Sequence, residues 1–176
     1  MKKIITVKIT IFIFLFFYTN SYAFEIKSSA FENGEKIPKV HACRDQGGKD
    51  ISIPVSFTNI PEGTTALALI IDDPDAKSVA GMTWVHYVLT DIPATETELN
   101  PIKNGKIKFG LVGRNSSGSR SYQGMCPPNG KHVYRIAGFA LNSDIKKKLG
   151  SITIEKFEKK YKKLIISKSQ ITGWWK

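Results

Sequence analysis

Residues 67 to 90 constrain the fold more than any other part of this sequence. Two apolar runs of β type, Leu67–Ile71 and Val85–Leu89, enclose a polar turn that contains Asp73 and Asp75. The first run ends in carboxylates, a proline reverses the chain, and the second run carries His86 among apolar residues. Two such strands bring a carboxylate and an imidazole together at the edge of a packed core. The sequence therefore predicts a polar site at that edge.

The first 23 residues have the pattern of a secretory signal peptide. Three lysines precede a largely apolar run, residues 9–17, and Ser21-Tyr22-Ala23 fits a small-x-small cleavage site. A membrane anchor is the less favoured alternative, because the run is shorter than the ~20 apolar residues of a spanning helix. We expect cleavage after Ala23, export to the periplasm or the medium, and one mature domain, residues 24–176.

Export also changes what the two cysteines indicate. In an oxidising compartment, Cys43 and Cys126 are better interpreted as a disulfide than as catalytic thiols or metal ligands. Two buried free thiols are the alternative that the sequence leaves open.

The charge of the chain is strongly positive. The net charge is +11, and without the three signal lysines it is +8, which suits anionic membranes, nucleic acid or acidic ligands. The cations are 22 lysines and four arginines, whereas bidentate recognition of phosphates and bases favours arginine. We therefore expect no nucleic-acid partner. Most lysines are interpreted as a solvated surface, which still permits peripheral contact with a membrane.

The hydrophobic pattern predicts a mainly β fold. Apolar and polar residues alternate over 51–57 and 131–141, as in strands with one buried face. Helical spacing appears only late, from Ile154 to Ile165, and no βαβ alternation occurs. This order predicts an antiparallel β-sandwich with a peripheral C-terminal helix. A first strand at 24–31, loops at 94–108 and 110–130, and a last strand at Ser167–Trp174 complete the prediction.

The C-terminal helix has two interpretations. Ile154, Phe157 and Tyr161 share one face, and lysines occupy the rest of its surface. Such a helix either packs its apolar face on the sheet or docks on an anionic membrane. We favour packing, because surface helices are normally amphipathic.

Four groups of residues are candidates for chemistry: Asp73 with Asp75, His86, the Gly/Pro-rich segment 124–128, and His132 with Tyr134. A carboxylate favours the charged form of a neighbouring imidazole, so we expect the pKa of His86 to be raised. Two histidines near one carboxylate would make a cationic cavity for a phosphate or carboxylate. A tyrosine hydroxyl and loop N–H groups would add donors. Taken alone, the aspartates are compatible with shaping a turn, and a single histidine in a strand is more often structural than functional.

Three longer segments carry a family resemblance. They are GTTALALIIDDPDA, TWVHYVLTDIP and YQGMCPPNGKHVYRIAGFAL. Together they resemble the successive motifs of the phosphatidylethanolamine-binding protein family, and within it the bacterial branch called Raf kinase inhibitor-like. The resemblance implies a Greek-key β-sandwich with a small anion-binding pocket at one end.

The resemblance also assigns roles to residues. Asp73 and His86 would form one wall, with Trp84 beside them, and His132 and Tyr134 would lie opposite. A last group would complete or support the pocket: Pro127 in the tight loop, Asp75 in the turn, and Gly124 and Cys126 beside the loop. The family also allows cis prolines in these motifs. This chain departs from the family at Lys77 and Met125, where prolines are common, so we expect an extra charge near the mouth and a looser or narrower pocket.

The sequence thus favours a non-catalytic protein that binds a small anion: a phosphate, a carboxylate, a lipid head group or a phosphorylated partner. The alternative is a surface-mediated inhibitor of a kinase or protease, as known for eukaryotic relatives. Hydrolysis is less favoured, because no recognised motif ties a Ser or Cys nucleophile to the histidines. We expect no catalytic residue, metal or cofactor, and a monomer or homodimer with a protein partner as a further option.

Overall fold

The structure is a computed structural model that describes residues 22–101 and 107–176. The predicted signal segment, except Tyr22 and Ala23, lies outside the described residues, as do five residues of the loop predicted at 94–108. The strands are β1 Glu25–Lys27, β2 Val55–Thr58, β3 Ala66–Asp73, β4 Trp84–Pro93, β5 Glu98–Leu99, β6 Leu111–Val112, β7 His132–Leu141 and β8 Ile165–Trp175, and the helices are α1 Lys77–Ala80 and α2 Ile154–Tyr161.

Strand β3 is the centre of a five-stranded antiparallel sheet with the order β6-β4-β3-β7-β8. All eight of its residues are buried, so its sequence is apolar up to Asp72 instead of alternating. Strands β4 and β7 flank β3 in antiparallel register. The end of β3 and the starts of β4 and β7 therefore meet at one end of the sheet.

A second, three-stranded sheet with the order β1-β2-β5 packs on one face of the larger sheet. Ile26 and Phe57 of the smaller sheet share a core with Leu69 and Ile136 of the larger one. The two sheets approach so closely at Gly138 that a Cβ atom there would lie 2.5 Å from a methyl carbon of Ile26. A glycine is therefore required at this point of β7.

Helix α2 covers the other face of the large sheet. Phe157 packs on Phe139 of β7 with ring centroids 4.8 Å apart, and Thr153 caps the helix by accepting a hydrogen bond from the backbone N–H of Lys156. The buried carboxylate of Asp72 accepts from the N–H of Ile154 at 3.0 Å and binds Arg135 through both oxygens. The prediction that the apolar face packs on the sheet is thus confirmed.

The antiparallel sandwich with a C-terminal helix confirms the predicted fold class. The differences lie at element ends. The strand predicted at 51–57 begins only at Val55, just after Pro54, which lacks a backbone donor. Strands β5 and β6 inside predicted loops have two residues each, which is too short for any periodic signal. Within the described ranges, no helix has the length and apolar character needed to cross a membrane.

Candidate functional site

The predicted site residues come together at the sheet end where β3 stops. Asp73 is the last residue of β3 and pairs with Trp84, the first residue of β4. His86 lies two positions further along β4, at an irregularity in the β3–β4 register. His132 is the first residue of β7. The antiparallel order of three neighbouring strands thus gathers residues that are up to 59 positions apart.

These strand ends border a cavity of about 270 Å³. Helix α1 contributes small apolar side chains, the segment 123–128 contributes a loop wall, and the strand ends contribute polar groups. The lining residues are Asp73, Ala76, Val79, Ala80, Trp84, His86, Gln123, Cys126, Pro127, Pro128 and His132.

Both carboxylate oxygens of Asp73 form hydrogen bonds within the protein. Its Oδ1 accepts from the backbone N–H groups of Asp75 and Ala76 at 2.9 and 3.1 Å, which shapes the turn into α1. Its Oδ2 bonds to Nδ1 of His132 at 2.7 Å. The carboxylate therefore orients His132, the histidine that the resemblance placed on the opposite wall.

His86 is held by the loop instead of by the carboxylate. Its Nδ1 donates to the backbone carbonyl of Gln123 at 2.9 Å. Burial lowers the pKa of His86, although the Gln123 carbonyl and the charge of Asp73 oppose that shift. The predicted rise of this pKa is wrong, because desolvation outweighs the nearby carboxylate. The second ring nitrogen, Nε2, is buried and has no hydrogen-bond partner among the described residues.

Tyr134 lies beside both histidines but does not line the cavity. Its ring meets the ring of His86 edge-on, with centroids 5.2 Å apart, and is 6.5 Å from the ring of His132. The side chain is fully buried, and its hydroxyl has no partner in the described part of the chain. Burial raises the pKa of Tyr134, and the charges of Asp73 and Asp75 raise it further, so the phenol stays neutral. The structure places it as a neutral group behind the histidines.

The loop wall is joined to β4 by a side-chain contact that the sequence did not suggest. Nε1 of Trp84 donates to Oε1 of Gln123 at 3.0 Å, while the backbone carbonyl of Gln123 accepts a hydrogen bond from Nδ1 of His86. Gln123 thus fixes an apolar wall and a polar group of the cavity at once. Its position inside the quoted YQGMCPPNG segment was the available signal, but nothing in the segment distinguished it from its neighbours.

A second segment, residues 39–50, holds the loop wall from behind. Cys43 and Cys126 form a disulfide, which confirms the predicted pairing. Gln46 donates from Nε2 to the carbonyl of Pro127 at 2.7 Å and accepts from Nε1 of Trp175 at 2.6 Å. Gly124 does not line the cavity, and its N–H donates to Oδ1 of Asp50 at 3.0 Å. We call these contacts the loop clamp.

Gly124 must be a glycine for a steric reason. A Cβ atom there would lie 2.5 Å from the backbone of Ala42 and Cys43. The close approach lets the loop clamp reach the backbone of the loop wall.

Neither departure from the family pattern lines the cavity, although Lys77 lies beside it. Met125 is fully buried, lies with its sulfur 2.9 Å from the hydroxyl of Tyr122, and does not line the cavity. Lys77 is exposed and lines a shallow depression next to the cavity, not the cavity itself. The carboxylate of Asp75 accepts from the N–H of Val133 at 2.8 Å, which ties the turn to β7. Every peptide bond in the described residues is trans, so the cis prolines that the resemblance allowed are not seen.

His86 and His132 border the cavity, but the third histidine of the chain, His41, does not. Nδ1 of His41 bonds to the carbonyl of Ile51 at 2.8 Å, outside the cavity. In residues 22–101 and 107–176, no group of three or more His, Cys, Asp or Glu side chains is arranged to hold a metal ion.

An antiparallel β-sandwich with a small cavity at one sheet end, bordered by an aspartate and two histidines, defines the class of this protein. The model of the family called phosphatidylethanolamine-binding protein matches residues 27–176, so the chain belongs to that family.

Relatives of similar length support this membership. A UPF0098 protein of Aquifex aeolicus is 39% identical over 141 residues, which are 73% of this chain and 74% of that protein. The UPF0098 protein YbcL of Escherichia coli K12 is 33% identical over 145 residues, which are 77% and 78% of the two chains.

Two solved structures share the fold. The crystal structure of Escherichia coli YbcL superimposes with a TM-score of 0.76 at 25% identity, covering 88% of this chain and 99% of that one. The family homologue CT736 of Chlamydia trachomatis superimposes with a TM-score of 0.75 at 28% identity, covering 88% and 97%.

Proposed function

We propose that this protein is a non-catalytic binding protein whose cavity takes a small anionic group, a phosphate or a carboxylate. One observation carries the proposal: Nε2 of His86 is buried at the cavity without a hydrogen-bond partner in the described residues. A buried polar atom left without a partner costs about 1–3 kcal/mol. A ligand oxygen at Nε2 would remove that cost, which makes the cavity a site for a polar ligand.

The size of the cavity limits the ligand. Its volume of about 270 Å³ is slightly below the roughly 300–1,000 Å³ of pockets that enclose drug-sized molecules. A phosphate or carboxylate with a few further atoms fits this space, whereas a lipid acyl chain does not. A lipid would therefore be bound by its head group alone, with the rest of the molecule outside.

The anion binds together with a proton. In the free protein His86 is neutral near pH 7, since burial lowers its pKa and its Nδ1–H donates a hydrogen bond to the Gln123 carbonyl. An anion needs a donor, so Nε2 must be protonated in the complex. His132, which Asp73 orients, lines the same cavity. The ligand is thus held by a charge that forms on binding.

The lining also supports the absence of catalysis. Its sulfur atom belongs to Cys126, which is bonded to Cys43, and no serine or threonine lines the cavity in the described residues. A histidine base would have no protein nucleophile to activate there. Binding without turnover is the simplest chemistry for this set of groups.

The proposal is tested by replacing His86 and a matched histidine. His86→Asn retains a short side-chain donor for the Gln123 carbonyl and removes Nε2, so the affinity for phosphate, sulfate and acetate in calorimetry should fall below detection. His41→Asn is the control, because His41 is equally buried, bonds a backbone carbonyl and lies outside the cavity. Its anion affinity should match the wild type. Equal affinities in all three proteins would refute the anion site.

A further inference from the structure

Two Asn-Gly dipeptides in the described residues have the same chemistry and different surroundings. They are Asn33-Gly34, after β1, and Asn129-Gly130, before β7, and all four of these residues are exposed. A third dipeptide, Asn104-Gly105, lies outside the described residues. Asparagine is a labile residue, and before glycine it is least protected, because glycine has no Cβ atom to hinder attack of its backbone nitrogen on the asparagine side chain.

Asn33-Gly34 is held against strand β8. Oδ1 of Asn33 accepts hydrogen bonds from the backbone N–H and the hydroxyl of Thr172, at 2.8 and 3.3 Å. The backbone N–H of Gly34 donates to the carbonyl of Thr172 at 2.8 Å. The same residue thus restrains the nitrogen that would attack and the amide that would be attacked. These bonds must open before the two groups can react.

Asn129-Gly130 has none of these restraints. Within residues 22–101 and 107–176, neither the Asn129 side chain nor the Gly130 N–H forms a hydrogen bond. A Cβ atom at Gly34 or at Gly130 would meet nothing within 4 Å, so free space does not distinguish the two dipeptides. Hydrogen bonding does, and it leaves Asn129-Gly130 as the reactive one.

We propose that Asn129 is a site of spontaneous modification, which makes this loop acidic with time and weakens the proposed anion site. The backbone nitrogen of Gly130 attacks Cγ of Asn129, and the new C–N bond closes a succinimide ring. The Cγ–Nδ2 bond breaks, and the amide nitrogen leaves as ammonia with the proton that the Gly130 nitrogen has released to solvent. Water then opens the ring at either carbonyl carbon, which gives aspartate or isoaspartate. The net change consumes water and needs no oxidant.

Either product alters the chain between two residues that line the cavity, Pro128 and His132. Asn129 lines the shallow depression beside the cavity, as His132 also does, so a new carboxylate there opposes the approach of an anion. Isoaspartate also lengthens the backbone by a carbon atom within this short loop. The effect on binding rests on the proposed function, whereas the modification itself does not.

The modification is tested by ageing the mature chain, residues 24–176, in mildly alkaline buffer at physiological temperature. Digestion at acidic pH, where ring closure is slow, and peptide mapping then follow each dipeptide separately. The Asn129 peptide should gain the mass of an amide-to-acid exchange and separate into an aspartate and an isoaspartate form. The Asn33 peptide should react at least about tenfold more slowly, because its hydrogen bonds must open first.

Ageing in urea is the internal control. Without the fold, both dipeptides should convert at comparable rates, which would assign the protection of Asn33 to its contacts with Thr172. Equal rates in the folded protein would overturn the proposal. So would an Asn129 that stays intact in the folded protein, or an Asn33 that is equally slow in urea.

Three variants connect the modification to binding. Asn129→Gln has to close a larger, less favourable ring, so its sulfate affinity should survive ageing. Asn129→Asp carries the charge from the start and should bind sulfate roughly threefold more weakly than fresh wild type. Asn33→Asp is the matched control: it adds the same charge at a residue that lines neither the cavity nor the depression, keeps the acceptor for Thr172, and should bind like the wild type.

Aged wild type should bind sulfate no more tightly than Asn129→Asp. A converted wild type with unchanged affinity would overturn the effect on the site. Failure of fresh wild type to bind sulfate would refute the proposed function, and the effect on binding with it, while peptide mapping would still decide the modification. Sulfate binding by a protein whose Asn129 stays intact would refute this inference alone.

Discussion

At the scale of single residues, His86 decides how anion binding depends on pH. Burial lowers its pKa below the usual value of 6.5 in the free protein, and an anion at Nε2 requires the charged form. Each binding event therefore takes up a proton as long as the pH is above the free-state pKa. Between pH 8 and 6 we expect the affinity for sulfate to rise by up to about tenfold per pH unit as the pH falls.

Sulfate is the right probe, because its own charge is constant over this range while that of phosphate is not. The unliganded protein should show the opposite trend: a neutral buried histidine favours the folded state above pH 6.5, and this stability is lost as the pH falls from 6.5 to the lower folded-state pKa. His41 contributes in the same direction, since burial also lowers its pKa. A sulfate affinity that does not change from pH 8 to 6 would exclude His86 as the ligand-binding donor.

The sequence predicted the identity of the site residues better than their pairing. Asp73, His86 and His132 were recognisable because they are polar residues inside or beside apolar strands. Which histidine the carboxylate binds depends on strand register and ring orientation, and both follow from packing far along the chain. The pKa of His86 could not be derived either, because desolvation depends on residues that are distant in sequence, such as Tyr134, whose ring packs on it.

At the scale of elements, the loop clamp determines whether the cavity keeps its shape. The disulfide joins cysteines 83 positions apart, so its removal should cost roughly 2–5 kcal/mol of unfolding free energy. Pro127 and Cys126 form part of the lining, and their loop would then be held by the hydrogen bonds to Gln46 and Asp50. We expect Cys43→Ser with Cys126→Ser to lower both the urea midpoint and the anion affinity.

Reduction of the wild type provides the internal check. Dithiothreitol should shift the wild type towards the double variant and leave the variant unchanged. If reduction leaves the wild-type midpoint and anion affinity where they were, the disulfide does not support the cavity.

Element length explains which parts of the fold were predictable. Strand β3 was evident because eight buried residues give a continuous apolar run, and α2 because its apolar residues recur at helical spacing. Helix α1 has only four residues and gives no periodic signal, yet Val79 and Ala80 of this helix line the cavity. The part of the cavity wall that the sequence did not predict is therefore the part built by α1.

At the scale of the whole molecule, the sandwich was predictable and its layering was not. Alternating strands without βαβ units indicated two antiparallel sheets. The position of β7 beside β3, rather than beside β6, follows from long-range pairing that no local pattern encodes. That pairing brings His132 to Asp73, so the site depends on a contact that only the complete fold makes.

Export is the property of the whole chain that remains a prediction, and the start of the domain makes it testable. Phe24 is buried and stacks on Phe57 with ring centroids 6.3 Å apart, so the first residue after the predicted cleavage site is part of the core. Expressed with residues 1–23 in a Gram-negative host, the protein should appear in the periplasm or the medium with Phe24 as its first residue. Intact-mass measurement under alkylating conditions would show both the cleavage and the Cys43–Cys126 bond.

The control is a variant in which residues 1–23 are replaced by an initiator methionine. It should stay in the cytosol and carry two alkylated thiols. Full-length protein in the membrane fraction with residues 1–23 attached would show an anchor instead and contradict cleavage.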